Sequence, residues 1–500
     1  MASASTANMI DDTRKRVLWI GTIPPNFKDF EQEFERRELS LEVHDGINIR
    51  DVFATTRGIV LKYNPKKPGA LKKHIEDFCS AAIDHGVMIN IIAEDSNAQQ
   101  RVEELLIETQ FKDYVSQPRT DPPPYEIANK IAHHEPGPRL NPSLDGIEAL
   151  DDTAQFFFKR AFWDCRSVQI KSMDDGLSAT NACSVQAVFK NSLAGPRPLP
   201  FFAKIDDVEK INKELDHYKQ YVFHFIPFNL RPNIDSYRCI RGHKKGILVG
   251  NFVEQSEPLW DALRRGNAPT IIYSLFDNAL RSWRMQAVQK EDNLLKCIGD
   301  VEVFDPSRVS SVRLERAHAN GATRKPHELH DLLARLPKQK YLDGPIHGDL
   351  HAKNVMVRGG DAILIDFALT RSGPLVADPA SLEVGLAFEV TDKDDDDSGW
   401  KELMDTLYST EWLGKPLPPA REPRPREWLW NAIRQIRLFA LSEKTSAYEY
   451  STVVAMCLLR RSMYSGKLNS DSDDFRKAYA YVLAEKIIVD IAKNSGAHKS

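Results

Sequence analysis

Residues 344–370 read GPIHGDLHAKNVMVRGGDAILIDFALT. NVMV (354–357) and AILIDF (362–367) are β runs, and RGGD (358–361) supplies turn residues between them, so the stretch predicts a hairpin. In a hairpin the outer ends of the two strands lie side by side. Asn354 opens the first strand and Asp366 closes the second, which puts both at one end of the ribbon, and Asp349 sits in the loop feeding that end. An amide and two carboxylates gathered there, with no arginine among them, need a cation. Oxygen ligands of this kind suit magnesium, and magnesium held by few protein groups completes its shell with substrate phosphates. The hairpin therefore points to nucleotide chemistry.

The rest of the chain must supply the other parts. At 500 residues it is too long for one ordinary core, which predicts two or three domains. Hydrophobic residues make up 42% and charged residues 28%, a globular balance, and the formal net charge of −4 argues against a general nucleic-acid binder. The six cysteines lie far apart with no CxxC pair, which excludes a zinc ribbon or thioredoxin-like site and reads as buried free thiols in a reducing compartment. MASASTANMI lacks a basic leader, and no run reaches the roughly 18 apolar residues of a membrane span. The expectation is a cytoplasmic protein with no membrane partner.

Residues 1–13 are expected to be disordered. From 14 to 116 strand and helix signals alternate: RVLWIG, FKDFEQEFERREL, LEVHD, GIVLKYN, ALKKHIEDFCSAAIDHG, VMINIIAED and NAQQRVEELLIE. This predicts a parallel sheet covered by helices. Residues 117–150, with three consecutive prolines, read as a linker containing one short helix, EIANKIA. FFKRAF, SVQIKS, CSVQAVF, PFFAKI and GILVGNFV predict an antiparallel sheet with one helix inserted over 151–256, and 257–495 is expected to be mostly helical around the hairpin (345–370).

The 14–116 segment resembles a response-regulator receiver domain, with a flavodoxin-like α/β fold. It departs from a working receiver: GTIPPN stands where the acidic pair would be, and KYNPKK where the phospho-accepting aspartate would be. The resemblance implies a docking module for a protein partner.

The hairpin resembles the kinase pattern H-R-D-L-x-x-x-N followed by D-F-G, here HGDLHAKN and IDFA. Its departures, together with ALTRSGPLVADPASLE (368–383), are similar to aminoglycoside phosphotransferases and choline kinases. A weaker likeness is to kinase-like domains of bacterial conflict and defence systems. The resemblance covers about 150–495 and implies a two-lobed α+β protein-kinase-like fold that transfers the γ-phosphoryl of ATP (or GTP), with Mg2+, to a hydroxyl on a small molecule or protein. It implies Asp349 as the base or hydroxyl-orienting residue and Asn354 and Asp366 as magnesium ligands. Asp378 would brace the loop after the second strand and His347 the catalytic loop.

For the nucleotide side, Lys204 stands on the apolar strand PFFAKID (200–206), and the next helix carries Glu214 beside the face of Val208, Ile211, Leu215, Tyr218 and Val222. Lys204–Glu214 is the expected ion pair holding the α- and β-phosphates, against two unrelated surface charges. Gly176 and Ser178 mark a phosphate-covering turn no more distinctive than an ordinary hairpin, and backbone groups at 251–254, Asn251 to Glu254, would meet the base. Two rivals stand. His347, Asp349 and His351 have the alternate spacing of a zinc set, but that reading leaves Asn354 and Asp366 unused. A pseudokinase scaffold would keep the same fold and dock partners instead.

Overall fold

The computed structural model describes residues 15–45, 56–63, 79, 82, 85–109, 111, 115–133, 143–145, 152–172, 181–190, 192–242, 244–251, 255–298, 304–389, 399–409, 411–420, 426–464 and 471–495. Gly176, Ser178, Glu254, most of the helix expected over 70–86 and the acidic run 393–397 lie outside them. The chain divides into two compact units, Met1–Asn212 with Ile234–Phe252, and Lys213–Asn233 with Val253–Ser500. The division falls inside a helix and not at the expected 256/257 boundary.

In the first unit, β1 (Arg16–Ile20), β2 (Ser40–His44), β3 (Thr56–Lys62), β4 (Met88–Ile92) and β5 (Ser116–Arg119) form a parallel sheet in the order β2-β1-β3-β4-β5. β1, β3 and β4 read as near-continuous apolar runs because both their faces are covered. One face packs under α1 (Phe27–Glu35) through Phe30 and Phe34. The other packs under α2 (Ser96–Glu108) through Ala98, Val102 and Leu106, with Asp95 capping the helix by accepting from Ala98 N at 2.7 Å.

The expected linker departs from that reading. Its start supplies β5, and its short helix is α3 (Pro124–His133), whose Ile127, Ala128 and Ile131 are buried in the core beneath α1. Its far end supplies β6 (Ser143–Asp145). Proline content was a poor guide because the prolines stand before or at the first turn of α3, where a missing N–H costs nothing.

A second sheet runs β10-β11-β9-β8-β7-β6, with β7 (Cys165–Ser172), β8 (Asn181–Phe189), β9 (Phe201–Asp207), β10 (Ile240–Arg241) and β11 (Lys245–Asn251). All its pairings are antiparallel except β6 on β7. FFKRAF is not a strand but lies at the end of α4 (Asp152–Ala161). Ala154, Phe157, Phe158, Ala161 and Phe162 are buried, a three-then-four spacing that only a helix presents on one face.

The second unit carries the C-terminal part of α5 (Val208–His217) and two three-stranded sheets. β12 (Glu257–Pro258), β15 (Val355–Arg358) and β16 (Asp361–Leu364) form one. β13 (Val288–Asp292), β14 (Gln339–Ile346) and β17 (Arg371–Pro374) form the other, which the expectation of a mostly helical segment missed. β13 is polar and β14 contains Asp343, Gly344 and Pro345, so neither shows a strand's apolar alternation. The longer helices are α6 (Ser311–Ala319), α7 (Pro326–Arg335), α8 (Ala377–Phe388), α9 (Trp400–Leu407), α10 (Glu427–Glu443), α11 (Glu449–Met463) and α12 (Asp471–Asn494). α11 is buried on nearly every side and packs along α8 and α12.

Among the described residues no helix is long and apolar enough to cross a membrane. All six cysteines are free.

Candidate functional site

The hairpin forms in the expected register, with Val355 opposite Leu364 and Arg358 opposite Asp361. Gly359 and Gly360 both take positive φ, 60° and 94°, which gives the two-residue turn whose twist matches the strands. Asn354 and Asp366 therefore stand at the same open end, where Ile365 N donates to the Asn354 carbonyl at 3.0 Å. Asp366 itself is left-handed, φ 60°, a conformation aspartate tolerates better than most residues. That bend ends β16 and turns the carboxylate out of the strand, and Ala368 N donates to its Oδ1 at 3.4 Å.

The loop before the hairpin is fixed at several points. β14 delivers His347 and β17 returns beside it, with Ile346 opposite Arg371. This return brings the first turn of α8 to the loop. Asp378, 3% exposed, accepts from His347 N at 2.7 Å and from Gly348 N at 3.0 Å. Asp378 thus braces the loop before the hairpin, not the loop after the second strand as expected. Burial pushes its carboxyl up, against the His347 ring and the two backbone donors. His347 is fully buried, and its Nε2 donates to the Ile365 carbonyl at 3.0 Å, tying the loop to the strand end that carries Asp366. Asn354 Nδ2 donates to the Asp349 carbonyl at 2.9 Å, which leaves Oδ1 as the amide's acceptor for a cation.

Gly348 has φ +78°, and a Cβ there would collide with the Leu369 carbonyl oxygen. The departure from the protein-kinase arginine at this place is thus a backbone requirement. Gly348→Ala is expected to lower unfolding free energy by about 1–3 kcal/mol in denaturant titration, from left-handed strain and the collision together. An unchanged midpoint would contradict the assigned backbone.

Asp349, 30% exposed in its side chain, carries the site's main electrostatic feature. Arg460 Nη2 donates to its Oδ1 at 3.1 Å, and His351 Nε2 faces Oδ2 at 3.5 Å. His351 Nδ1 accepts from Lys353 N at 3.2 Å, so the neutral ring carries its proton on Nε2, toward Asp349. Burial alone would raise the Asp349 carboxyl, but the His351 contact, with the Arg460 charge, holds it down at about 2. Among the described residues no group of three or more His, Cys, Asp or Glu could hold a metal, whereas Asn354 Oδ1 and the Asp366 carboxylate are a two-oxygen set of the kind that suits magnesium shared with phosphates.

On the nucleotide side, Lys204 stands mid-strand on β9 between Ala182 and Leu248 of the neighbouring strands. Glu214 is buried on α5, whose inner face is formed by Ile211, Leu215 and, beyond the helix, Tyr218 and Val222. Lys204 and Glu214 fall in different compact units. Asn251 ends β11 with its side chain exposed. Sequence reading missed Arg460, which reaches Asp349 across 111 residues of chain, and no local pattern announces it. It weighed His351 only as a metal ligand, although a histidine two residues from an acidic group on a loop is placed to hydrogen-bond it.

The sequence model of one family, ternary complex associated domain 9, matches residues 269–456, under half of the chain. No curated protein matches. Among solved structures, an amicoumacin kinase in complex with AMP-PNP and Ca2+ is 13% identical, covering 64% of this chain and 88% of its own, with a TM-score of 0.36. A choline/ethanolamine kinase family protein from Mesorhizobium loti is 13% identical, covering 65% and 92%, with a TM-score of 0.33. An aminoglycoside phosphotransferase from Streptomyces rimosus is 15% identical, covering 55% and 93%, with a TM-score of 0.28. Likeness at this level does not by itself assign a function.

Proposed function

We propose that this chain is an ATP- or GTP-dependent phosphotransferase acting on a hydroxyl acceptor. The observation that carries the reading is the hairpin end, where the chain brings Asn354 and Asp366 to one side and Asn354 Nδ2 is bonded to the Asp349 carbonyl. Asn354 and Asp366 would hold Mg2+, which when bound neutralises charge on the terminal phosphates. Asp349 orients the acceptor hydroxyl and takes its proton. A carboxylate held at about 2 is a weak base, so its main work is orientation, with the proton arriving late along a loose phosphoryl transfer. The hydroxyl oxygen bonds to the γ-phosphorus, the bridging P–O bond breaks, and its electron pair stays on the nucleoside diphosphate. Lys204 would hold the inner phosphates, and Asn251 would border the base.

The parallel order β2-β1-β3-β4-β5 supports a receiver-like reading of the first domain, since receivers use that strand order. GTIPPN, after β1, carries no carboxylate, so the domain serves as a docking surface for a protein partner.

The direct test incubates the full chain with γ-labelled ATP, Mg2+ and a panel of hydroxyl compounds. Asp366→Ala is expected to weaken metal-dependent nucleotide binding by more than the roughly 10–100-fold typical of losing an outer-shell partner. Equal metal dependence in calorimetric titrations of variant and parent would remove Asp366 from the site. A nucleotide-binding scaffold is the second reading, favoured by the Arg460 guanidinium already seated on Asp349. Nucleotide binding with no transfer to any acceptor, water included, would select it.

A further inference from the structure

The Arg460–Asp349 contact bears on the identity of the acceptor, a question that rests on the phosphotransfer reading. α11 ends at Met463, and from its last turn Arg460, 18% exposed, places Nη2 3.1 Å from Asp349 Oδ1. His351 Nε2 faces the other oxygen. Both oxygens that could receive a hydroxyl proton are thus met by donors. The next cation is Arg371 at the start of β17, whose Nη2 donates to the Ile298 carbonyl at 2.7 Å. Burial lowers the Arg371 guanidinium, and the Arg460 charge adds to that against the opposing pull of Asp378 and Asp349, so both arginines feel the Asp349 carboxylate. Asp378 is committed to two backbone N–H groups. Other charges nearby are matched, Lys353 with Glu389 at 2.7 Å and Arg461 with Asp473 at 3.4 Å.

A cationic acceptor, such as an amino sugar or a quaternary ammonium alcohol, would have to bring like charge against Arg460 to reach Asp349. An anionic acceptor has the opposite fate. A guanidinium has five N–H donors in a planar fork and can grip a carboxylate or phosphate bidentately. Drawn toward such a group, Arg460 uncovers Asp349 Oδ1 where the hydroxyl arrives. We infer that Arg460 selects the acceptor, and that the acceptor is a hydroxyl compound carrying a carboxylate or phosphate group.

The hydroxyl oxygen then forms the bond to the γ-phosphorus as the bridging P–O bond of the nucleotide breaks. The proton passes to Asp349 and the nucleoside diphosphate leaves with the electron pair. Arg460 makes and breaks no covalent bond.

The test uses three acceptors of matched carbon skeleton: D-glycerate (anionic), glycerol (neutral) and 2-amino-1,3-propanediol (cationic). Transfer from γ-labelled ATP with Mg2+ is measured for the full chain and for Arg460→Gln and Arg460→Lys, with melting curves to confirm that each variant folds. The expected order of kcat/KM is glycerate, glycerol, aminopropanediol. Arg460→Gln loses about tenfold on glycerate, the scale of one charge-assisted hydrogen bond, chiefly through KM. It changes glycerol less, and Arg460→Lys restores part of the preference. A residue that merely supports the fold would lower all three alike. Aminopropanediol used as well as glycerate by the parent overturns the inference while leaving phosphotransfer intact, and so does an Arg460→Gln variant that keeps the order. Transfer to none of the three and none to water removes the phosphotransfer reading itself and this inference with it.

Discussion

Asp349→Ala is expected to lower turnover in steady-state phosphoryl transfer by about 10²–10⁴-fold, the usual contribution of one positioned acid–base group, while nucleotide binding stays largely intact. The separation follows from the architecture. The tie from Asp349 to the hairpin end is its backbone carbonyl, bonded by Asn354 Nδ2, so truncating its side chain leaves that tie in place. Its side chain bonds instead to Arg460 and faces His351, neither of which is assigned to metal or phosphate. Comparable turnover in variant and parent would refute the role.

The same geometry fixes the sign of the pH dependence. The folded carboxyl is held at about 2, below its ordinary value of 3.8, so the native state binds fewer protons than the unfolded chain. The stabilisation from these contacts is complete above about pH 4 and is lost as pH falls toward 2. Asp349 is therefore ionised throughout the neutral range, and the kcat/KM profile should show no limb from it above about pH 4. A carboxylate limb near pH 6 that vanishes in Asp349→Asn would contradict the Arg460 and His351 contacts.

How much of this was legible in the sequence depends on the range over which each feature is decided. The hairpin was, because strand period, turn glycines and the positions of Asn354 and Asp366 are all set within a few residues. The first four strands of the parallel sheet were too, and β1, β3 and β4, buried on both faces, advertise themselves as apolar runs, whereas β5 was read as the start of a linker. α3 was read as a short helix, but the prolines around it made it a linker helix and hid its place in the core; α4 was hidden by a run of phenylalanines that favours strands by propensity, although its burial spacing is helical. β13 and β14 were hidden because a sheet can accept polar residues, and even Gly344-Pro345, where neighbouring pairing sets the backbone. The acceptor side of the site was illegible for a different reason. Arg460, Arg371 and Asp378 each arrive from separate elements, and only β17 pairing with β14 and α11 packing along α8 bring them to one loop. Long-range convergence of that kind leaves no mark on any one segment.

The packing that carries α11 to the site rests on a charge buried in the second unit, and its removal should have the largest effect on stability. Glu383 of α8 and Arg437 of α10 are both fully buried, with Arg437 Nη2 2.7 Å from Glu383 Oε1 and Nε 3.0 Å from Oε2. Tyr450 of α11 donates its hydroxyl to Glu383 Oε2 at 2.6 Å, and Arg437 Nη2 also donates to the Leu407 carbonyl at the end of α9 at 2.8 Å. Burial alone would lower the Arg437 guanidinium, but Glu383 outweighs it and raises it, so the arginine stays charged. Burial and the same carboxylate push the Tyr450 hydroxyl up, so it stays a donor. Four helices thus share one ion pair, fully buried from bulk solvent. Glu383→Ala or Arg437→Ala leaves the other charge buried and unpaired, and each should cost about 3–5 kcal/mol in denaturant unfolding. The paired replacement Glu383→Leu with Arg437→Met should cost far less than the sum, because it removes both charges and fills the volume. Strict additivity in that double-mutant cycle would mean the two side chains do not meet. Since α11 carries both Tyr450 and Arg460, either single variant should also loosen the hold on Asp349, and turnover should fall at temperatures well below the unfolding midpoint.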